Sequence, residues 1–384
     1  MNDRGRIVMT SAGKRRIRQF LFWCAWWAVA LVGLMLALPA AGQDAASQIQ
    51  AEVERLQQAL AKKPVTFPGN PDANRGANDM LKSALQDGST GRLYVSLYEF
   101  GEVSDFIYGA WTIMDKTEAV KNSLPAFEAE WEKASAGITA LDRQTRATNW
   151  SDSPAALQAL SETAEAMTMP YLEAGRGFAV ATEPKDGLFH IGEAQGRAEF
   201  ASFVASLRLP RTRAAYPFRS FLPEIETFQQ KENAAFKPPR SIDQHMQFMS
   251  INSALSQARE LDATKGYAGA LYQYLWAVGY YGMLDAPSPD ASQQAALKSA
   301  LAAARQKLEA SPRDDSIAEI FLERAESQLA HVDGSAPSAD DWKIAKVITD
   351  QVLPAYFAAD HPLAAPERAS GKAVEITLVR WPYT

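Results

Sequence analysis

The chain has 384 residues, of which 47% are hydrophobic, and its formal net charge at pH 7 is −6. This length and hydrophobic content are enough for one large domain, or two ordinary domains, with a buried core. The only cysteine, Cys24, lies in an N-terminal apolar run, which excludes disulfides, thiolate metal sites and a cysteine nucleophile from the rest of the chain.

The N-terminus has the composition of an export signal. Six basic residues precede an uncharged run over residues 20–38, and small residues follow it. Ala40 and Gly42 favour cleavage after Gly42, whereas the length of the apolar run also suits an uncleaved membrane anchor. We therefore expect residues 1–42 to be a signal peptide or signal anchor. The rest of the chain is then extracytoplasmic (periplasmic or secreted), and contacts the membrane only through this segment if it is uncleaved.

Without that segment the chain is strongly acidic. Residues 1–42 contain six basic residues and one acidic residue, so the remainder carries a net charge of −11. Binding to nucleic acid requires clustered Lys and Arg side chains. We therefore expect no nucleic-acid partner.

Helical periodicity runs through most of the chain. Apolar side chains recur every three or four residues between residues 48 and 356, which places them on one helical face. Prolines, glycines and capping hydroxyls separate the segments. Outside a central hairpin, the pattern predicts helices over residues 48–63, 79–85, 93–114, 117–138 with a kink at Pro125, 154–181 with an interruption at Pro170, 189–207, 218–236, 290–308, 317–329 and 338–356.

The expected fold class is all-α, with antiparallel helical hairpins stacked as an irregular solenoid or a bundle. The helical domain covers residues 43–359, either as one body or as two lobes, 43–150 and 151–359. An Ala/Pro-rich linker follows at residues 360–372. Alternating β-branched and polar residues then predict a short C-terminal β-strand at residues 373–384, which can add to a partner.

The clearest unit is a helical hairpin over residues 240–287 that turns at Gly266. Its second helix opens with Gly-Tyr-Ala-Gly-Ala-Leu and continues with Tyr274 and Ala277. In these positions residues 254–284 resemble one tetratricopeptide-type hairpin. The resemblance implies that Ala270 allows close approach of the two helices. It also implies that Tyr274 and Ala277 fill the contact to the next hairpin.

Further aromatic side chains on the second helix of the hairpin indicate a binding surface. Core packing accounts for Tyr274, but one buried face cannot hold all of the rings. We therefore expect Tyr267, Tyr272 and Trp276 to be partly exposed. Together with Tyr280 they are the candidate residues of a groove for a peptide.

A basic loop provides a candidate anion site. Arg208, Arg211 and Arg213 lie between two predicted helices and alternate with apolar and aromatic residues. Guanidinium groups bind carboxylates or lipid head groups well. The structural alternative is a solvated loop whose arginines pair with acidic neighbours.

One His–Glu pair is a candidate metal site. His190 and Glu193 lie three residues apart on a predicted helix, so both can face a metal ion or each other. The segment 187–193 is similar to the Gly-x-His-x-x-Glu motif of imelysin-type exported helical proteins, with Leu188 where that motif has glycine. The structural alternative is a surface pair, or a bond to Arg197 one turn later.

The sequence favours a binding protein over an enzyme. It has no nucleophile elbow, phosphate-binding loop, Glu-x-x-His pair or haem-attachment motif, so we expect no catalytic residues and no cofactor. The first hypothesis is an exported, non-enzymatic interaction protein that presents a helical groove to an envelope protein or peptide. The alternative is a periplasmic protein that binds a metal or small ligand through His190 and Glu193.

Overall fold

A computed structural model describes residues 44–67, 69–237, 244–330 and 335–360. The described part of the chain is helical and contains no β-strand, only the isolated bridges between Phe67 and Asn70 and between Ala214 and Arg313. The predicted all-α class is therefore confirmed. The predicted signal segment and C-terminal strand lie outside the described residues, as does nearly all of the linker.

The helices of the described residues are numbered α1 to α13 in chain order. Their bounds are α1 Ala45–Lys62, α2 Ala73–Ser89, α3 Leu93–Val120, α4 Leu124–Arg146, α5 Ala155–Ala181, α6 Leu188–Ser206, α7 Leu222–Ala235, α8 His245–Ala263, α9 Tyr267–Met283, α10 Ala291–Glu309, α11 Ser316–Ala330, α12 Ala339–Val347 and α13 Leu353–Ala358. The 3₁₀-helix Pro184–Gly187 joins α5 to α6, and the π-helix Ile348–Val352 joins α12 to α13. None of the helices described is both long and apolar enough to span a bilayer.

Two prolines act differently from the prediction. Pro170 lies inside α5, which continues through it as one helix. The reason is tertiary: α5 packs along both α6 and α9, and this packing outweighs the local preference of proline. Pro125 causes no kink, because it occupies the first turn of α4, where a missing N–H costs nothing.

Helix α6 lies between α3 and α5 and makes the most extensive helix contacts of the described structure. Its glycines allow this approach. A Cβ atom at Gly192 would lie 2.3 Å from the carbonyl oxygen of Tyr108, and one at Gly196 would lie 3.0 Å from the Cα of Asp105. The first distance is a clash and the second is tighter than nearly all real contacts, so both glycines allow α6 to lie close against α3.

We expect Gly192→Ala to lower the free energy of unfolding by about 1–3 kcal/mol, because the new methyl group must push α3 away. The control is Gly137→Ala on α4, where an added Cβ meets nothing within 4 Å. That substitution should instead stabilise the protein by up to about 1 kcal/mol through helix propensity. Urea unfolding measures both, and equal effects at the two sites would contradict the close approach.

Carboxyl groups from elsewhere in the chain cap the N-termini of four helices. None of α3, α5, α7 and α9 has a hydrogen bond from the side chain of its own N-cap residue. Instead, the backbone N–H groups of Tyr94 and Val95 in α3 donate to Oε2 of Glu323 in α11, at 2.8 and 3.0 Å. The corresponding acceptors are Asp314 for α5, Asp262 for α7 and Glu162 for α9, at 2.7, 2.7 and 2.8 Å.

The carboxyl group of Glu323 is buried, with only 4% of the residue exposed. Burial raises the pKa of Glu323 from 4.5 to about 8, although the N–H groups of Val95 and Tyr94 and the charge of Arg305 act in the opposite direction. Between these two pH values the folded chain keeps a proton that the unfolded chain has released. The contribution of this proton to the free energy of unfolding is therefore complete below about pH 4.5 and is lost as the pH rises through about 8.

We expect Glu323→Gln to reduce this loss of stability between pH 5 and pH 8 by on the order of a few kcal/mol. Glutamine does not titrate, and its carbonyl oxygen can still accept both N–H groups. Part of the slope should remain, because burial also raises the pKa values of Glu99 and Glu165 to about 7. Chemical unfolding at several pH values measures the effect, with the exposed Glu260→Gln as control. A wild-type slope in Glu323→Gln would refute the assignment.

Candidate functional site

A cavity of about 390 Å³ opens between α3, α5, α6, α8 and α9. Three of the four predicted groove residues, Tyr272, Trp276 and Tyr280, line it from α9. They are spaced four residues apart, which places them on one face of the helix. Tyr267 does not line the cavity and is half-buried against the main hydrophobic core.

The expectation that Tyr272 is partly exposed is wrong, because only 3% of the residue is accessible. Phe321 of α11 and Trp276 cover its ring, at centroid distances of 5.5 and 6.1 Å. Tyr280 is the most open of the three, with 37% of its surface exposed. The ring-bearing face of α9 therefore changes from buried to open along its length.

The rings continue onto α3. Tyr98 stacks on Trp276 at a centroid distance of 5.3 Å, and Trp276 lies 5.5 Å from Tyr280. Behind this wall, the guanidinium of Arg324 lies over Tyr98 and Trp276, 4.9 and 4.7 Å from their centroids. Burial raises the pKa of Tyr98, with Arg324 acting in the opposite direction, so its phenol is protonated at physiological pH. The wall is thus rigid, aromatic and uncharged.

An ion-pair network forms the other side of the cavity. Arg197 of α6 donates a hydrogen bond to Glu102 at 3.2 Å, forms an ion pair with Asp105, and lies over the ring of Tyr171. Burial raises the pKa of Asp105, and the charge of Arg197 opposes that rise. The single arginine therefore faces two carboxyl groups of α3, so its charge is already compensated within the protein.

Two buried hydroxyl groups in the cavity have no hydrogen-bond partner in the described structure: those of Tyr272 and Thr163. Only 3% and 5% of these residues are exposed. The indole of Trp276 lies next to the Tyr272 hydroxyl without reaching hydrogen-bond geometry. Buried polar groups are nearly always paired in native proteins, so each of these hydroxyls can bond to a molecule that enters the cavity.

Two methionines from α8 form the mouth of the cavity. Met246 and Met249 line it with 70% and 51% of their surface exposed. Sequence reasoning missed them, although the sequence shows two methionines three residues apart near the start of a predicted helix. Methionine is flexible and polarisable, so such a rim adapts to different apolar contacts.

Two of the three candidate anion-binding arginines, Arg211 and Arg213, bond to other parts of the protein. The guanidinium of Arg211 donates to the carbonyl of Ser151. That of Arg213 donates to Leu308 and Glu309 at the C-terminus of α10, at 2.9 and 3.3 Å, and pairs with Glu319. Arg208 is exposed. Through these bonds the loop connects α10 and α11 with the segment before α5.

The predicted His–Glu pair is present at a separate place. Nδ1 of His190 lies 2.6 Å from Oε2 of Glu193, and the imidazole ring lies against Phe178 at 4.8 Å. His190 also lines a second, mainly apolar cavity of about 520 Å³ together with Phe67 and Phe189. Within the described ranges, no group of three or more His, Cys, Asp or Glu side chains is arranged to hold a metal ion.

No protein-family model, characterised protein or solved structure matches this chain.

Proposed function

We propose that the protein is an exported, non-enzymatic helical binding protein that holds a segment of a partner protein, or a peptide, in the aromatic cavity. Export rests on the signal-like sequence of residues 1–42. Binding rests on the cavity between α3, α5, α6, α8 and α9. The resemblance of residues 254–284 to a tetratricopeptide-type hairpin favours the same class of partner.

The observation that carries the proposal is the combination of an aromatic wall with an exposed methionine rim. Trp276 and Tyr280 offer large, rigid contact area at little cost in side-chain entropy, as in many protein-binding surfaces. Met246 and Met249 place apolar surface in contact with solvent beside them. Exposed apolar surface next to a concave site is typical of protein interaction sites.

The polar groups of the cavity are suited to holding a ligand rather than to converting it. They are hydroxyls and amides, such as those of Ser250, Gln257 and Gln273, and one arginine paired with carboxylates. Such groups orient a bound segment through hydrogen bonds. We therefore propose binding as the function of this site and assign it no catalytic residue.

We expect Ser253→Trp to weaken peptide binding by about tenfold or more, equivalent to about 1.4 kcal/mol. Ser253 is exposed on α8 and lines the cavity, so a large ring there blocks the mouth without disturbing the core. Peptides selected against the purified protein by display provide the ligands, and calorimetry gives their affinities.

The matched control is Ser256→Trp, which is also exposed on α8 but does not line the cavity. It should bind the selected peptides as the wild type does. Selected peptides that bind Ser253→Trp with unchanged affinity would show that they do not use the cavity, and the proposal would then fail.

A second candidate function is the binding of a metal or small ligand at His190. Its support is the bond from Nδ1 to Glu193, which orients the imidazole ring and leaves Nε2 as the remaining ring nitrogen beside the apolar cavity. Nε2 would then be the one protein donor to a metal ion and would hold it weakly, with the other positions taken by water or a ligand.

For this second candidate we expect Zn²⁺ to bind the wild type and to bind His190→Ala about tenfold more weakly. The control is His245→Ala, because His245 is exposed on α8 and far from Glu193 in sequence. Calorimetric titration with Zn²⁺ measures all three proteins. Equal affinity in the wild type and His190→Ala, or no binding to either, would refute this candidate.

A further inference from the structure

We propose that the group which enters the aromatic cavity is the side chain of a tyrosine in the partner segment. This inference rests on the proposed function, because it specifies the chemistry of the segment that the cavity holds. Three observations carry it: unpartnered hydroxyls in the cavity wall, aromatic rings that line the same cavity, and charged lining residues that are paired with each other.

The hydroxyls select a polar group. Tyr272 on α9 and Thr163 on α5 both line the cavity, are more than nine-tenths buried and have no hydrogen-bond partner in the described structure. Each can donate one hydrogen bond and accept others, so a ligand hydroxyl can bond to either. A purely hydrocarbon ligand would leave both unpaired, which is costly in a buried site.

The rings select a flat, largely apolar body behind that polar tip. Tyr98, Trp276 and Tyr280 form one continuous wall, with neighbouring centroids 5.3 and 5.5 Å apart. Aromatic side chains gain additional attraction from stacked or edge-on contacts with such a wall. Met246 and Met249 at the mouth can pack against the ring and the adjoining backbone of the segment.

The charges exclude an ionic ligand. Arg197 is already paired with Glu102, which also lines the cavity, so an incoming carboxylate would meet that carboxyl group and an incoming ammonium would meet the guanidinium. A charge taken out of water without its own partner is strongly disfavoured. The ligand group that satisfies the hydroxyls is therefore neutral, as a phenol is at physiological pH.

The size of the cavity suits one ring. Its volume of about 390 Å³ is near the lower end of the range for small-ligand sites. That space holds one aromatic side chain and the backbone beside it, with the rest of the segment lying over the methionine rim. Tyrosine combines a ring of this size with a single neutral hydroxyl at its far end.

The test uses N-acetyl-tyrosinamide and N-acetyl-phenylalaninamide, which differ by one hydroxyl group. Ligand-observed NMR titration gives the affinity of each probe for the full chain. We expect the tyrosine probe to bind wild type about tenfold more tightly than the phenylalanine probe, because a site built to hydrogen-bond a hydroxyl discriminates against its absence. In Tyr272→Phe and in Thr163→Val this ratio should fall to about threefold or less, with little change for the phenylalanine probe.

The control variant is Tyr274→Phe, on the same helix but not in the cavity, and it should keep the wild-type ratio. Circular dichroism establishes that each variant is folded, and the two hydroxyl deletions are independent tests if one of them does not fold.

Equal binding of the two probes by wild type would overturn the tyrosine inference alone, provided that Ser253→Trp still blocks both. If neither probe binds wild type, the tyrosine inference is overturned, and binding of N-acetylglucosamine in their place would assign the cavity to a sugar. The proposed function fails as well only if the selected peptides also bind Ser253→Trp unchanged.

Discussion

The arrangement of the helices depends on carboxyl groups from elsewhere in the chain that cap helix N-termini. The first N–H groups of a helix have no partner within it, and at α3, α5, α7 and α9 the N-cap side chain provides none. Glu323, for example, accepts those of α3 from its place on α11. Apolar packing is non-directional and allows helices to slide along each other. These bonds fix where each helix begins relative to its neighbour.

The same constraint positions the candidate site. Glu162 of α5 accepts the N–H of Gly269 and so fixes the start of α9, while the next residue, Thr163, lines the cavity. From that start, the rings of α9 follow at intervals of one turn. A helix that began one residue later would present a face rotated by about 100°, and the ring of Trp276 would no longer stack on Tyr98. The hydrogen bond from Gly269 to Glu162 therefore also sets the position of the aromatic rings that line the cavity.

The helical class, most helix positions and the aromatic face of α9 could be predicted, because they depend on the spacing of nearby residues. The rest depends on contacts distant in sequence. Asp314 caps a helix that begins 159 residues earlier, and nothing near Ala155 indicates this. The cavity likewise combines α9 with Tyr98 and Arg197 from other helices, which only packing brings together. Tyr272 is buried for the same reason, since Phe321 of α11 covers it.

The methionine rim makes the cavity sensitive to oxidants. Thioethers in contact with solvent are converted to sulfoxides by peroxides, and the product is polar, chiral and a strong hydrogen-bond acceptor. Met246 and Met249 are exposed enough to react first, since 70% and 51% of their surface is accessible. Such a modification would make the entrance hydrophilic while leaving the helices in place. Methionine sulfoxide reductases, which reverse the reaction, would restore the apolar entrance.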